Sequence, residues 1–153
     1  MRLWPYQMLD VLPYRQLTSQ WRECLAVSGM IASGKLNHSI IKRVNDYPIE
    51  HFAAYCDLVR EEFKIRGYVI GEKTIDKLDR DIGYSNLDYE ISRPKCSLYS
   101  LAKVKVDGVP LFDKFHNERY VRQCMYSFQE KFDCGMITEN QWKDLEEKFS
   151  FLM

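Results

Sequence analysis

The sequence predicts a mainly α-helical fold, a single compact helical domain over residues 1–153 with at most a small β-hairpin. Three observations predict it. Apolar side chains recur at three- and four-residue spacing in several separate stretches. Capping residues and prolines stand where these stretches begin, and glycines where they end. Strand-like alternation is clear only once, in "VKVDGVPLF". A chain of 153 residues is large enough for one real core and too small for two. Its 46% hydrophobic and 14% aromatic content excludes a disordered chain.

The first helix is expected from about Pro13 to Ile31, with Leu17, Trp21, Cys24, Ser28 and Ile31 as its buried stripe. Arg15, Ser19, Arg22, Glu23 and Ala26 fall on the other side, Arg22 and Glu23 being about 100° apart. Residues 33–47, "SGKLNHSIIKRVNDY", read as a basic loop with a helical turn around Ile40 to Val44. A second helix is expected from Pro48, a favourable first-turn residue, to just before Gly67. Phe52, Cys56, Val59 and Phe63 form its stripe, and the acids Glu50, Asp57, Glu61 and Glu62 lie mostly away from it.

Between Lys73 and Ser100 one short helix is expected near Ile75 to Ile82. Residues 104–112 then predict a hairpin turning at Asp107-Gly108, with Pro110 keeping its second strand at an edge. A long helix follows from an Asn117 N-cap to about Phe132, with Val121, Cys124, Met125, Phe128 and Phe132 inward and Gly135 as its stop. Thr138 and Gln141 form a capping box for the last helix, where Ile137 can staple onto Trp142.

Composition removes several classes of function. No apolar run approaches the roughly 18 residues of a membrane span, and "MRLWPYQMLD" is polar again by Asp10, so no signal segment is expected. Cys24, Cys56, Cys96, Cys124 and Cys134 are scattered without a CxxC, the pattern of reduced thiols in a cytoplasmic protein. His38, His51 and His116 share no metal-ligand spacing with a second ligand, so neither a metal nor a cofactor is expected. "SGMIASGK" lacks the preceding strand and the following Ser/Thr of a phosphate loop. No Ser or Cys sits in a nucleophile elbow.

The formal net charge of zero hides an asymmetry. Residues 1–45 hold six basic side chains (Arg2, Arg15, Arg22, Lys35, Lys42, Arg43) against Asp10 and Glu23, a net +4. The other 108 residues hold 16 basic and 20 acidic side chains, a net −4. A basic third on an otherwise acidic chain suits a local anionic partner such as phosphate or nucleic acid, although chance clustering gives the same count.

One constellation remains: a free amine at Met1, with Arg2, Arg22 and Glu23. An α-amine titrates near 8 and a lysine near 10.4, so at neutral pH roughly a quarter of the former is neutral against roughly a thousandth of the latter. Nearby arginines disfavour the charged amine and increase that fraction. Such an amine can attack a sugar carbon or carbonyl, with a neighbouring carboxylate stabilising the cationic imine and moving protons. Arginines beside it can hold phosphates bidentately. From these residues alone, an ordinary solvated helix face is the other reading.

The opening "MRLW", then "QLTSQWREC", "GKLNHSIIKRV" and "YPIEHFAAYCDLVREEFKIRGY" resemble the pyrimidine dimer DNA glycosylases, the endonuclease V family first known from bacteriophage, in its bacterial branch. The resemblance covers about residues 1–70. It implies a DNA repair enzyme, a glycosylase with linked abasic-site lyase activity on UV-type pyrimidine dimers, binding double-stranded DNA as a monomer. By residue matching, the Met1 α-amine is the implied nucleophile that attacks C1′ and forms a Schiff base. Glu23 is the implied acid/base and imine stabiliser, and Arg2 and Arg22 grip phosphates and lesion. Arg15, Gln16, Lys35, His38, Lys42 and Arg43 are further implied DNA contacts. Two alternatives stay open: a non-catalytic DNA-binding or interaction protein of the same fold, and an abasic-site lyase without dimer specificity.

Overall fold

Residues 3–9, "LWPYQML", are all buried in the computed structural model, which describes residues 2–93, 101 and 103–153. Sequence periodicity gives no hint of this, because Tyr6–Val11 forms a single stretch of 3-10 helix, too short to show a repeating face. Leu3, Trp4, Met8 and Leu9 enter the common core, and Trp4 stacks on Phe128 with ring centroids 4.5 Å apart.

Pro13 then starts α1, Tyr14–Ser33, and Gly34 ends it with φ 70°, a left-handed conformation open to glycine at little cost. α2 (Ser39–Asn45) is capped by His38, whose Nδ1 accepts from the Ile40 N–H at 3.1 Å. α3 (Ile49–Ile65) is the central element. Ten of its residues are buried, and it packs on α1, α2, the 6–11 turn and the sheet. α4 (Glu72–Ile82) lies along α1. Two hydrogen bonds tie the pair: Trp21 Nε1 donates to Thr74 Oγ1 at 3.0 Å and Ser28 Oγ to Asp81 Oδ2 at 2.9 Å.

The expected hairpin is β2 (Lys105–Val106) and β3 (Val109–Pro110), turning through Asp107 and Gly108 with φ 50° and 80°. Those paired positive φ values suit a two-residue turn between right-twisted strands. A further strand, β1 (Ile91–Ser92), adds antiparallel to β2, so Pro110 does occupy an edge. α5 (Glu118–Asp133) and α6 (Glu139–Phe149) close the molecule. Asn117 caps α5, and both bonds of the Thr138–Gln141 capping box form.

One reading needs correction. Glu62, expected away from the core, is buried on α3. Arg66 neutralises it at 2.9 Å and donates through its other nitrogens to the Leu12 and Leu9 carbonyls at 2.8 and 3.1 Å. The carboxylate orients the cation that closes the end of the 6–11 turn, a favourable place for positive charge. Cys24, Cys56, Cys124 and Cys134 are free thiols, while Cys96 lies outside the described residues.

Candidate active site

Local rules place the chemistry of α1. The core stripe fixes the helix's rotation, leaving Arg22 exposed and Glu23 half-buried. Neither side chain makes a hydrogen bond or ion pair among the described residues. Gln16 shares Glu23's face at i, i+7, and its Oε1 is buried without a hydrogen-bond partner among the described residues. Gln20, three residues before Glu23, is fully buried. It reaches the start of the chain: its Nε2 donates to the Arg2 carbonyl at 3.0 Å. Positions i and i+3 are neighbours on a helix surface, so Arg2 is tied within about one turn of Glu23. Met1 itself lies outside the described residues.

Arg2 is exposed, with its guanidinium 5.0 Å from the Trp4 ring centre and Nη1 3.9 Å from Cys124 Sγ. Arg43 of α2 lies over the rings of Phe115 and Tyr120, 5.2 and 5.9 Å from their centres. Tyr120 thus has Arg2 and Arg43 as charged neighbours, and both oppose the rise in its phenol pKa that burial causes. Burial pushes the Cys124 thiol up to about 11, with Arg2 opposing the rise, so at neutral pH it is a thiol and not a nucleophilic thiolate.

Lys35 and His38 line one open pocket of about 560 Å³ at the α1–α2 turn, together with Met30, Gly34, Leu36 and Asn37. Lys42 is exposed on α2 and Arg15 on the first turn of α1. The structure therefore sets Arg2 and Arg43 around Tyr120, and Lys35 and His38 on one pocket. Among the described residues no hydrogen bond or ion pair joins Arg15, Arg22 or Lys42 to either pair.

Among the described residues, the ion pairs use Arg60, Arg66, Lys77, Arg93, Arg122, Lys143 and Lys148. None of the six basic side chains of residues 1–45 takes part. Unneutralised cations on α1, α2 and the turn between them are available to phosphates. If about four engage DNA, the logarithm of the binding constant should fall against that of salt with a slope of about −3 to −4. An Arg22→Ala, Lys42→Ala double variant should flatten that slope by about two, one for each contact removed. Salt titration of duplex binding checks both values; a slope near zero would remove these residues from the DNA interface.

Sequence reasoning missed Gln20, Tyr55 and Tyr120. A signal existed for the first: Leu17, Gln20, Cys24 and Val27 share one buried face, and a glutamine on an apolar stripe needs a polar partner. As for metal, no cluster of three or more His, Cys, Asp or Glu suited to an ion occurs among the described residues. No helix among them is long and apolar enough to cross a membrane.

The N-terminal cations thus make no ion pair among the described residues, and Glu23 lies half-buried on the same helix as Arg22. Residues 1–76 match the family model described as pyrimidine dimer DNA glycosylase, the family that the opening of the chain resembles. The match runs from the chain start into α4 and contains every residue singled out above for catalysis or DNA contact. Curated proteins and solved structures give no match. The family's activity is that of a DNA repair glycosylase, with DNA carrying pyrimidine dimers as substrate.

Proposed function

We propose that this protein excises pyrimidine dimers as a monomeric cytoplasmic DNA glycosylase with a linked abasic-site lyase step, using the Met1 α-amine as nucleophile and Glu23 as acid/base. The observation that supports the reading is the hydrogen bond from Gln20 to the Arg2 carbonyl, which ties Arg2 to α1 one helical turn before the half-buried Glu23.

In this mechanism the neutral amine donates its lone pair to C1′ of the damaged nucleotide. The glycosidic bond breaks, and its electron pair leaves with the base, which takes up a proton. Loss of a proton from the attached amine and opening of the sugar ring give an imine, whose protonated form the Glu23 carboxylate stabilises. Glu23 then removes a proton from C2′, and the C3′–O bond breaks with its electrons leaving on the phosphate oxygen. Water finally hydrolyses the imine and frees the amine. Arg2 and Arg22 hold phosphates at the lesion, with Arg15, Gln16, Lys35, His38, Lys42 and Arg43 as outer contacts. Reaching C1′ requires the damaged nucleotide to leave the stack, at a cost of a few kcal/mol that a lesion lowers.

The reading is tested by incubating untagged protein with duplexes containing one dimer, one abasic site or neither, with borohydride present. Adducts and strand cleavage are expected on the first two and not on the third. Reaction on abasic DNA alone would remove dimer excision, and reaction on none would leave a DNA-binding module.

A further inference from the structure

The backbone from Arg2 to Tyr6 pairs with no strand and belongs to no helix until Tyr6, yet side chains from four parts of the molecule bind its polar groups. Gln20 of α1 binds it twice, donating from Nε2 to the Arg2 carbonyl at 3.0 Å and accepting at Oε1 from the Trp4 N–H at 2.7 Å. The Tyr55 hydroxyl of α3 lies 2.7 Å from the Trp4 carbonyl and 3.1 Å from Gln20 Oε1, and shares its proton between them. Tyr120 of α5 donates to the Leu3 carbonyl at 2.9 Å. His116, before α5, accepts from the Tyr6 N–H at Nδ1 over 3.2 Å. That bond needs a neutral imidazole, and burial holds the His116 pKa down to about 3.

Gln20 and Tyr55 are fully buried. Apolar residues of similar volume would fill the same space, whereas these polar groups fix the height and register of the backbone they bind. Attack by an amine requires near-contact distances and an aligned lone pair, and a misplacement of 1 Å costs on the order of a hundredfold.

We propose that Gln20, Tyr55 and Tyr120 are positioning residues for the reaction, a cradle that holds Arg2–Trp4 so that the α-amine one residue earlier meets C1′ in attacking geometry. Consecutive Cα atoms are about 3.8 Å apart and the N–Cα bond is about 1.5 Å, so fixing Arg2 keeps an amine one residue earlier within about 5 Å of its Cα. This inference rests on the terminal-amine reading and assigns the residues that make it efficient.

The test compares untagged wild type, Gln20→Met, Tyr120→Phe and Tyr55→Phe with Leu145→Ala, a core variant on α6 that leaves the cradle untouched. Single-turnover borohydride trapping on abasic duplex, duplex affinity and Tm are measured for each. Gln20→Met should slow adduct formation by tenfold or more, towards the hundredfold limit for misplacement, and each phenylalanine variant severalfold. Affinity should stay within about threefold, because the cationic contacts remain. Leu145→Ala, destabilised at least as much, should trap at the wild-type rate. Wild-type rates in folded Gln20→Met would overturn the proposal, as would Leu145→Ala slowing in proportion to its Tm. If Gln20→Met does not fold, the two phenylalanine variants decide by the same readings. Absence of any adduct with wild type would instead sink the terminal-amine reading on which the cradle depends.

Discussion

A short tag added before Met1 is expected to abolish borohydride-trapped adducts on abasic-site DNA while leaving duplex affinity within a few-fold. The tag converts the α-amine to an amide, whose nitrogen lone pair is delocalised and no longer nucleophilic. The cationic side chains of α1, α2 and the turn between them are unchanged by it, so phosphate binding persists. A tag after Met153 should alter neither quantity. Trapping yields on one abasic duplex, with affinity measured in parallel, check this. Equal trapping by N-terminally tagged and untagged protein would remove the α-amine from the mechanism.

Glu23→Gln is expected to fold and bind DNA like wild type but to lose strand cleavage by roughly a hundredfold or more, the ordinary contribution of a positioned general acid/base. Glutamine keeps the size of the side chain and removes its charge. It can neither accept the C2′ proton nor balance the cationic imine. The half-buried position of Glu23, without an ion pair among the described residues, gives little reason for the substitution to disturb the fold. Single-turnover cleavage, affinity and Tm check the three parts. Cleavage at the wild-type rate with a collapsed Tm would make Glu23 a structural residue.

The helices were legible because their signals are local. Leu17, Trp21 and Cys24 on α1, and Phe52, Cys56, Val59 and Phe63 on α3, repeat at helical spacing and are buried as that spacing requires. The Asn117 cap and the Thr138–Gln141 box act within three residues, so they can be read without knowing the rest of the chain. The hairpin announced itself through Asp107-Gly108, whose positive φ values few other pairs adopt easily. β1 was not legible, since two residues form a strand only because β2 is there to pair with them.

The candidate site divides in the same way. Arg22 and Glu23 could be placed on the accessible side of α1, because helical rotation follows from the stripe. The cradle could not be read, because its bonds join residues far apart in sequence: Tyr55 to Trp4, Tyr120 to Leu3 and His116 to Tyr6. Burial of Leu3–Leu9 was hidden for a related reason. One 3-10 stretch has no periodicity, and its burial depends on partners such as Phe128 beneath Trp4. The burial of Glu62 likewise required knowing that Arg66 turns towards the Leu9 and Leu12 carbonyls.

The central claim is that the chain's own α-amine forms the bond to DNA. It is tested most directly by proteolysing the borohydride-trapped complex of untagged protein with abasic duplex and finding, by mass, the peptide that carries the sugar. The expected adduct is on the N-terminal peptide, at the nitrogen of Met1. An adduct on Lys35, Lys42 or any other lysine, with the N-terminal peptide recovered unmodified, would contradict the claim.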